Sequence, residues 1–520
     1  MVQLSRRTML LSGAAASMMR GFSPSKARAE ENARRPLPIP PELRANAKGT
    51  IPLDARPGSM RFQGNHDTAT YGINGPYLGP AVRVRRGAKV VAQVSNGVPE
   101  NITMHWHGLI IPGAADGGPH RVIASGERWQ TELLIDQPAA TLWFHPHYYP
   151  STAQEVISGL AGLLIVDDDE VARLPLPSRW GVDDIPLIIQ DRRFTPDGQF
   201  FDRMNIMAVT NGYIGDTALV NGAHYPEARA ARGWLRLRIL NGSNARSYAL
   251  AVSDGRSLYV IASDGGLLES PVELKQLLVH VGERFEVLVD GRNGSAFDLV
   301  TLPISQEIMR LPPFDRPLPL MTIRPDGVDG KGQLPSNLAV VPPLPDQLPP
   351  VSQELVMNMF KDAQGMMLLK RAGLMAMAET SKTDPEVVAR VVNLIVNVPA
   401  LSQSEQLSAN GVNGKPFSLD RIDFAAARNQ CLCWRIAEGT DRMLHPVHVH
   451  GCQFRIISQD GKPPEAHRSG WKDTAPISAG GVTEILLRFP HSANRDNPYM
   501  VHCHILEHED SGMMAQFTVS

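Results

Sequence analysis

Ten of the sixteen histidines fall in four short motifs: His105-Trp106-His107, His145-Pro146-His147, His445-Pro446-Val447-His448-Val449-His450, and His502-Cys503-His504 followed by His508. Imidazoles gathered in this way read as metal ligands. The other six, His66, His120, His224, His280, His467 and His491, stand alone and read as ordinary core or surface residues. Side chains two apart on a strand share a face, and neighbours point to opposite faces. Each His-x-His therefore throws two imidazoles to one side, and the four pairs together offer eight. Eight neutral nitrogens are too many for one ion and suit a cluster of three coppers, a metal that favours this borderline-soft ligand.

The opposite parity carries a second site. Cys503 lies between His502 and His504, so it faces away from the cluster. His445 precedes His448 by three and faces away too. His508 and Met513 follow on the next turn or loop. Two imidazoles, a thiolate and a weak thioether form the trigonal blue-copper set. The sulfur ligand of one site is thus flanked in sequence by imidazole ligands of the other, an electron path of a few bonds. Reduction of dioxygen to water takes four electrons, and four coppers can hold four.

These motifs need strands to present them. The chain has 520 residues, 43% hydrophobic, and a net charge of -2. At about 150 residues per domain, that length predicts three domains. Charge so balanced excludes a nucleic-acid footprint, and no apolar run reaches the ~20 residues that span a bilayer. Short Val/Ile/Leu runs punctuated by 44 glycines and 42 prolines predict an all-β chain of sandwich or barrel domains. Asp167-Asp168-Asp169-Glu170 and the proline-rich stretch from Val341 to Pro350 mark two boundaries. A weak repeat agrees: Val90–Asn96 and Cys433–Ala437 each lead to a His-x-His-Gly, whereas the similar Leu235–Asn241 does not. The middle domain is therefore expected to lack metal ligands. Six of twenty methionines lie between Met357 and Met377, in a stretch from Glu354 that breaks the β pattern and is expected to be helical.

The first residues read as an export signal. Arg6-Arg7 precede a mild apolar stretch, and Ala27-Arg28-Ala29 offers a cleavage site, so residues 1–29 are a twin-arginine signal peptide. Export implies an oxidising compartment. Four cysteines are too few for a disulfide scaffold. Cys431 and Cys433 share a strand face, with a bridge to Cys452 left open.

Taken together, the four complete motifs resemble those of the multicopper oxidases, and within them the copper-efflux oxidases of the bacterial periplasm. Leu258-Tyr259-Val260-Ile261-Ala262-Ser263-Asp264-Gly265-Gly266 and Gly470-Trp471-Lys472-Asp473-Thr474 are similar to that branch. The resemblance implies three cupredoxin-like Greek-key β domains, at 30–170, 171–340 and 341–520, with a short methionine-containing insert near 354–380. It implies that His445, Cys503, His508 and Met513 hold a type 1 copper, and His105 and His448 a type 2 copper. His107, His145 and His504 would hold one type 3 copper, and His147, His450 and His502 the other. Asp116 and Glu509 match carboxylates that the family places near the cluster, where they can relay protons. Met357, Asp362, Asp441 and Met443 match positions that bind the substrate cuprous ion beside the type 1 site. The implied activity is oxidation of Cu(I), and of phenols, coupled to reduction of O2 by a periplasmic monomer with a role in copper tolerance. General laccase-type phenol oxidation is the alternative, and a copper-free scaffold of the same fold is a third reading, although scaffold members lack the ligands that this chain keeps. One departure stands out. The branch's insert is long and histidine-rich, but no histidine lies between His280 and His445 here. A less covered type 1 edge is expected in consequence.

Overall fold

The computed structural model describes residues 34–304, 308–375, 377 and 383–520. The export segment 1–29 lies outside the described residues.

Six sheets stack in three successive pairs. The first pair has four strands in each sheet and runs from Glu42–Leu43 to Gly162–Asp167. The second, a six-stranded and a five-stranded sheet, runs from Asp184–Arg192 to Leu318–Arg324. The third, two five-stranded sheets, runs from Val351–Met359 to Met514–Val519. Between Arg324 and Val351 the proline-rich segment forms neither helix nor strand, as expected of a chain that lacks backbone donors at every proline.

The sequence repeat has a structural counterpart. Its three segments lie in the strands Lys89–Asn96, Trp234–Asn241 and Leu432–Glu438. Each pairs in parallel with the first long strand of its unit, respectively Thr50–Met60, Asp184–Arg192 and Val351–Met359. Each also pairs antiparallel on its other edge, with Arg128–Leu134, Arg284–Asp290 and Val482–Leu487. Alternation decides which face is inward. In Lys89–Asn96 the residues Val90, Ala92, Val94 and Asn96 are buried and the intervening ones are not. The middle copy is buried on both faces. There Leu235, Leu237 and Ile239 enter the core, while Arg236 and Arg238 meet Glu286 and Asp184 against Thr141 of the first unit. Buried guanidiniums need such partners, so the Leu-Arg-Leu-Arg pattern encodes an interface between units.

Two expectations need correction. Met357 and Met359 lie on the strand Val351–Met359, not on a helix; the alternation of Leu355 and Met357 as buried residues with more exposed neighbours is a strand period. Helix begins only at Asp362–Ala372, and a second helix follows at Pro385–Asn397, capped by Asp384 with Pro385 in its first turn. Both helices bury residues in the core of the third unit, Leu369, Ala372, Val387 and Val391. Finally, all four cysteines are free thiols: Cys431 is exposed and precedes the strand, and Cys433, Cys452 and Cys503 are buried. Among the described residues, no helix is long and apolar enough to cross a membrane.

Candidate metal centre

The strands His445–Val449 and Tyr499–Cys503 pair antiparallel, with Val447 opposite Cys503 and His448 opposite His502. Residues directly opposite in a sheet point to the same side. Cys503 therefore shares a face with Val447 and His445, and His448 and His502 share the other. The division of ligands by strand parity is thus built into the register. The first unit does this differently. His105 and His145 form a single bridge, bonded N to O in both directions at 2.8 and 3.2 Å, and neither motif lies in an extended strand. Pro146 and the left-handed Gly108 (φ +91°) interrupt the ladder here.

Eight imidazoles converge where the first and third units meet, and all are buried. His105 Nε2 lies 3.4 Å from His448 Nε2, His107 Nδ1 3.2 Å from His504 Nε2, and His502 Nε2 3.2 Å from both His147 Nε2 and His450 Nε2. Two donors about 2.0–2.1 Å from one ion at a near-tetrahedral angle lie about 3.3 Å apart, so these separations are those of shared ligation. His105 stacks on His450 and His107 on His448, with centroids 3.8 and 3.6 Å apart.

Most of the outer nitrogens are anchored, which fixes those rings, while His504 Nδ1 has no partner. His105 Nδ1 and His448 Nδ1 donate to the backbone oxygens of Asp116 and Asp473, at 3.0 and 2.7 Å. His450 Nδ1 donates to Asp116 Oδ2 at 2.7 Å. His147 Nδ1 and His502 Nδ1 face the two oxygens of Glu509 at 3.3 and 3.0 Å. His145 Nδ1 donates to Pro146 O at 2.7 Å, leaving its buried Nε2 without a partner. Burial, followed by the neighbouring imidazoles, holds His107, His448, His450 and His504 well below the ordinary imidazole range. Neutral rings with lone pairs aimed at common points are metal ligands in form.

On the opposite face, Cys503 Sγ lies 3.5 Å from His445 Nδ1 and 3.8 Å from His508 Nδ1. Trigonal ligation with bonds of about 2.0–2.3 Å places sulfur and nitrogen about 3.8 Å apart. His508 sits on the short helix Leu506–Asp510, and the buried Met513 is bonded through its backbone to both Cys503 and His508. Asp441 Oδ1 accepts from His445 Nε2 at 3.1 Å and from the Met443 backbone at 2.9 Å. Against burial, which lowers it, Asp441 and Cys503 raise the His445 imidazole to about 10. Burial first, then Asp441 and Glu438, raises the Asp362 carboxyl to about 6. Asp362 thus stands at the start of its helix, within electrostatic reach of Asp441. Met357 and the half-buried Met443 pack in one core, and the strand of Met357 pairs with the strand that leads to Asp441.

Family models described as multicopper oxidase match residues 54–171, 208–310 and 393–520. The chain belongs to the multicopper oxidase family. It is 34% identical to a Staphylococcus aureus protein named multicopper oxidase mco, over 93% of this chain and 92% of that one. It is also 33% identical to the cell division protein FtsP of Proteus mirabilis, over 100% and 99% of the two chains. Among solved structures, a laccase-like multicopper oxidase CueO from Ochrobactrum sp. aligns with TM-score 0.78 and 40% identity, covering 93% of this chain and all of that one. A Campylobacter jejuni metallo-oxidase aligns with TM-score 0.76 and 26% identity, over 94% and 95%.

As a multicopper oxidase the chain takes copper as cofactor and uses O2 with a reducing substrate. Its residues fit that metal. The donor set is imidazole with one thiolate, and groups of three ligand atoms fall within 4.8 Å of one another at His105-His107-His448, His107-His145-His504, His147-His450-His502 and His445-Cys503-His508. No such group arises from the middle unit among the described residues. Its histidines, His224 and His280, stand apart from the cluster; His280 Nδ1 pairs with Ser247 Oγ, and His120 and His467 likewise pair with Gln516 and Arg468.

Sequence reasoning missed one residue. Asp473 Oδ1 lies 3.0 Å from His107 Nε2, and its backbone oxygen anchors His448. The sequence signal lies in Gly470-Trp471-Lys472-Asp473-Thr474, read for its family resemblance and not for a role at the site.

Proposed function

We propose that this chain is a periplasmic cuprous oxidase that contributes to copper tolerance. In it His445, Cys503, His508 and Met513 hold a type 1 copper, and His105 with His448 a type 2 copper. His107, His145 and His504 hold one type 3 copper, and His147, His450 and His502 the second. Copper, when bound, supplies the one-electron and dioxygen chemistry. The protein's own part is positional. Cys503 joins the two sites through its bonds to His502 and His504. Glu509, facing His147 and His502, and Asp116, facing His450, are the carboxylates placed to hold and pass protons at the cluster.

The observation that carries the choice of substrate is Asp441. Its carboxylate lies on the His445 ring edge and on the Met443 backbone, with Asp362 near it. Soft thioethers from Met357 and Met443 suit Cu(I), and the carboxylates offset its charge. The test is steady-state oxidation of cuprous ion and of a phenol by the wild type and by Met357→Ser/Met443→Ser. Loss of cuprous turnover with phenol turnover kept supports the proposal; unchanged cuprous turnover refutes it and favours laccase-type phenol oxidation. The latter draws on the Ochrobactrum protein, whose described activity is toward lignin model compounds and lignosulfonate.

The relatives named for cell division raise a non-enzymatic reading. Retention of all ten histidines, Cys503 and Met513 weighs against it. A copper-loaded preparation that is colourless and fails to consume O2 would establish the scaffold role.

A further inference from the structure

The middle unit supplies no ligand, yet it reaches the cluster at two points. Gly282 lies against the His504 ring, where an added Cβ would meet the imidazole at 3.0 Å. Arg284, at the start of the strand Arg284–Asp290, is fully buried and spends all five of its N–H groups. Nε donates to Thr141 O of the first unit at 3.1 Å. Nη1 donates to Gly282 O and to Asp473 Oδ1, at 2.9 and 2.7 Å. Nη2 donates to Asp264 O at 3.2 Å and to Asp473 Oδ2. One side chain therefore ties all three units together. Gly108, next to His107, leaves the room this needs, because a Cβ there would sit 2.6 Å from Asp473 Oδ2 and 2.8 Å from the guanidinium.

Asp473 Oδ1, which also accepts from the Thr474 hydroxyl at 3.2 Å, meets His107 Nε2 at 3.0 Å, and Thr474 Oγ1 itself lies 3.4 Å from that nitrogen. A carboxylate can only accept. His107 must therefore carry its proton on Nε2, leaving the Nδ1 lone pair facing His504 Nε2 at 3.2 Å. The other tautomer would point an N–H at the metal position. The charges around the pair are matched: Arg284, Lys472 and Arg468 meet the buried carboxylates of Asp473, Asp264 and Glu283.

We propose that Asp473, clamped by Arg284 from the ligand-free middle unit, is a positioning residue that fixes His107 in the tautomer able to ligate copper. This inference rests on the reading that the eight-histidine cluster binds copper. The middle unit then acts on the cluster through an interface and not through a ligand. Asn in place of Asp473 separates this role from mere packing. Arg284 Nη1 and Nη2 face one Asp473 oxygen each and His107 shares the first, so an amide with its single carbonyl oxygen cannot accept from all three; when the carbonyl serves Nη2, the NH2 faces His107 and favours the proton on Nδ1. Removing the guanidinium as well frees the amide to turn its carbonyl to His107.

The experiment compares copper-loaded wild type, Asp473→Asn and Arg284→Met/Asp473→Asn by copper per chain after dialysis against a competing chelator. Blue absorbance per chain serves as the measure of an intact fold and an intact Cys503 site. Asp473→Asn is expected to keep the blue band but to hold cluster copper about 10–100-fold more weakly, and the double variant is expected to regain it. Full copper retention in Asp473→Asn, or a double variant no better than the single one, overturns the proposal. Should Asp473→Asn fail to fold, a crystal structure of the copper-loaded wild type decides: metal on His107 Nδ1 supports the proposal, and metal on Nε2 overturns it. Wild type that itself holds fewer than four coppers refutes the underlying function instead, so the two failures are distinguishable.

Discussion

The eight-imidazole cluster and the His445-Cys503-His508 site lie on opposite faces of one sheet, but they are finished in different ways. Around the cluster, the rings anchored from outside are held by backbone oxygens or buried carboxylates, and glycines admit the neighbours: Gly108 the Asp473–Arg284 pair, Gly451 the Tyr499 ring, Gly282 His504. At the other site the ligands are equally buried, but the next layer is half-open. Asp441 and Met443 lie in a loop between strands, and Asp362 begins a helix that belongs to the insert. Dioxygen chemistry is set by the docking of whole units, which leaves little freedom. Under the proposed function, substrate choice rests on a few side chains on loops and helix ends, which can change without disturbing that docking.

The sharpest way to break the contrast is to remove what both regions share. Cys503→Ser should abolish both blue absorbance and oxygen consumption, checked by spectrophotometry and an oxygen electrode; a variant that still consumed O2 at the wild-type rate would mean that the two faces are not coupled through this residue. Next in size, Glu509→Gln should leave the colour intact and cut turnover by about 10²-fold, measured with both substrates, because the change lies on the cluster side alone. Met357→Ser/Met443→Ser should act on the other side only, lowering cuprous kcat/KM by about tenfold, roughly 1.4 kcal/mol, with phenol kcat kept. The smallest effect should be in pH dependence. Asp362, raised to about 6, is neutral below that pH and anionic above it. Cuprous oxidation should therefore rise as pH passes upward through about 6, and Asp362→Asn should flatten that rise while leaving the phenol profile unchanged.

Much of the site was legible because strand alternation is a strict rule. Cys503 facing one way and His502 and His504 the other follows from period two, and the observed register repeats it. Asp116 and Glu509 were expected only from the resemblance to the family, which places carboxylates near its cluster. Asp473 could not be placed at the site, because His107 is 366 residues away and the partner Arg284 belongs to a unit without ligands. Pairings over such separations are decided by how units dock, which leaves no local pattern. The fold class was likewise readable from short apolar runs, and the internal repeat located a corresponding strand in each unit. The methionine-rich stretch misled because methionine suits a helix as well as a core strand. The better signal lay just beyond it, in Asp384-Pro385-Glu386, a helix start whose side chain accepts from the first turn.

Because half of the imidazoles come from each end of the chain, ions held as proposed would bridge segments as far apart as His107 and His504, 397 positions distant. Binding to the closed form alone shifts the balance between docked and separated units toward the docked one. Copper is thereby a latch as well as a reagent. A metal-starved molecule should part along the seam between its first and last units before either sheet pair melts, offering that seam to proteases, so that the supply of copper also sets how long the polypeptide survives.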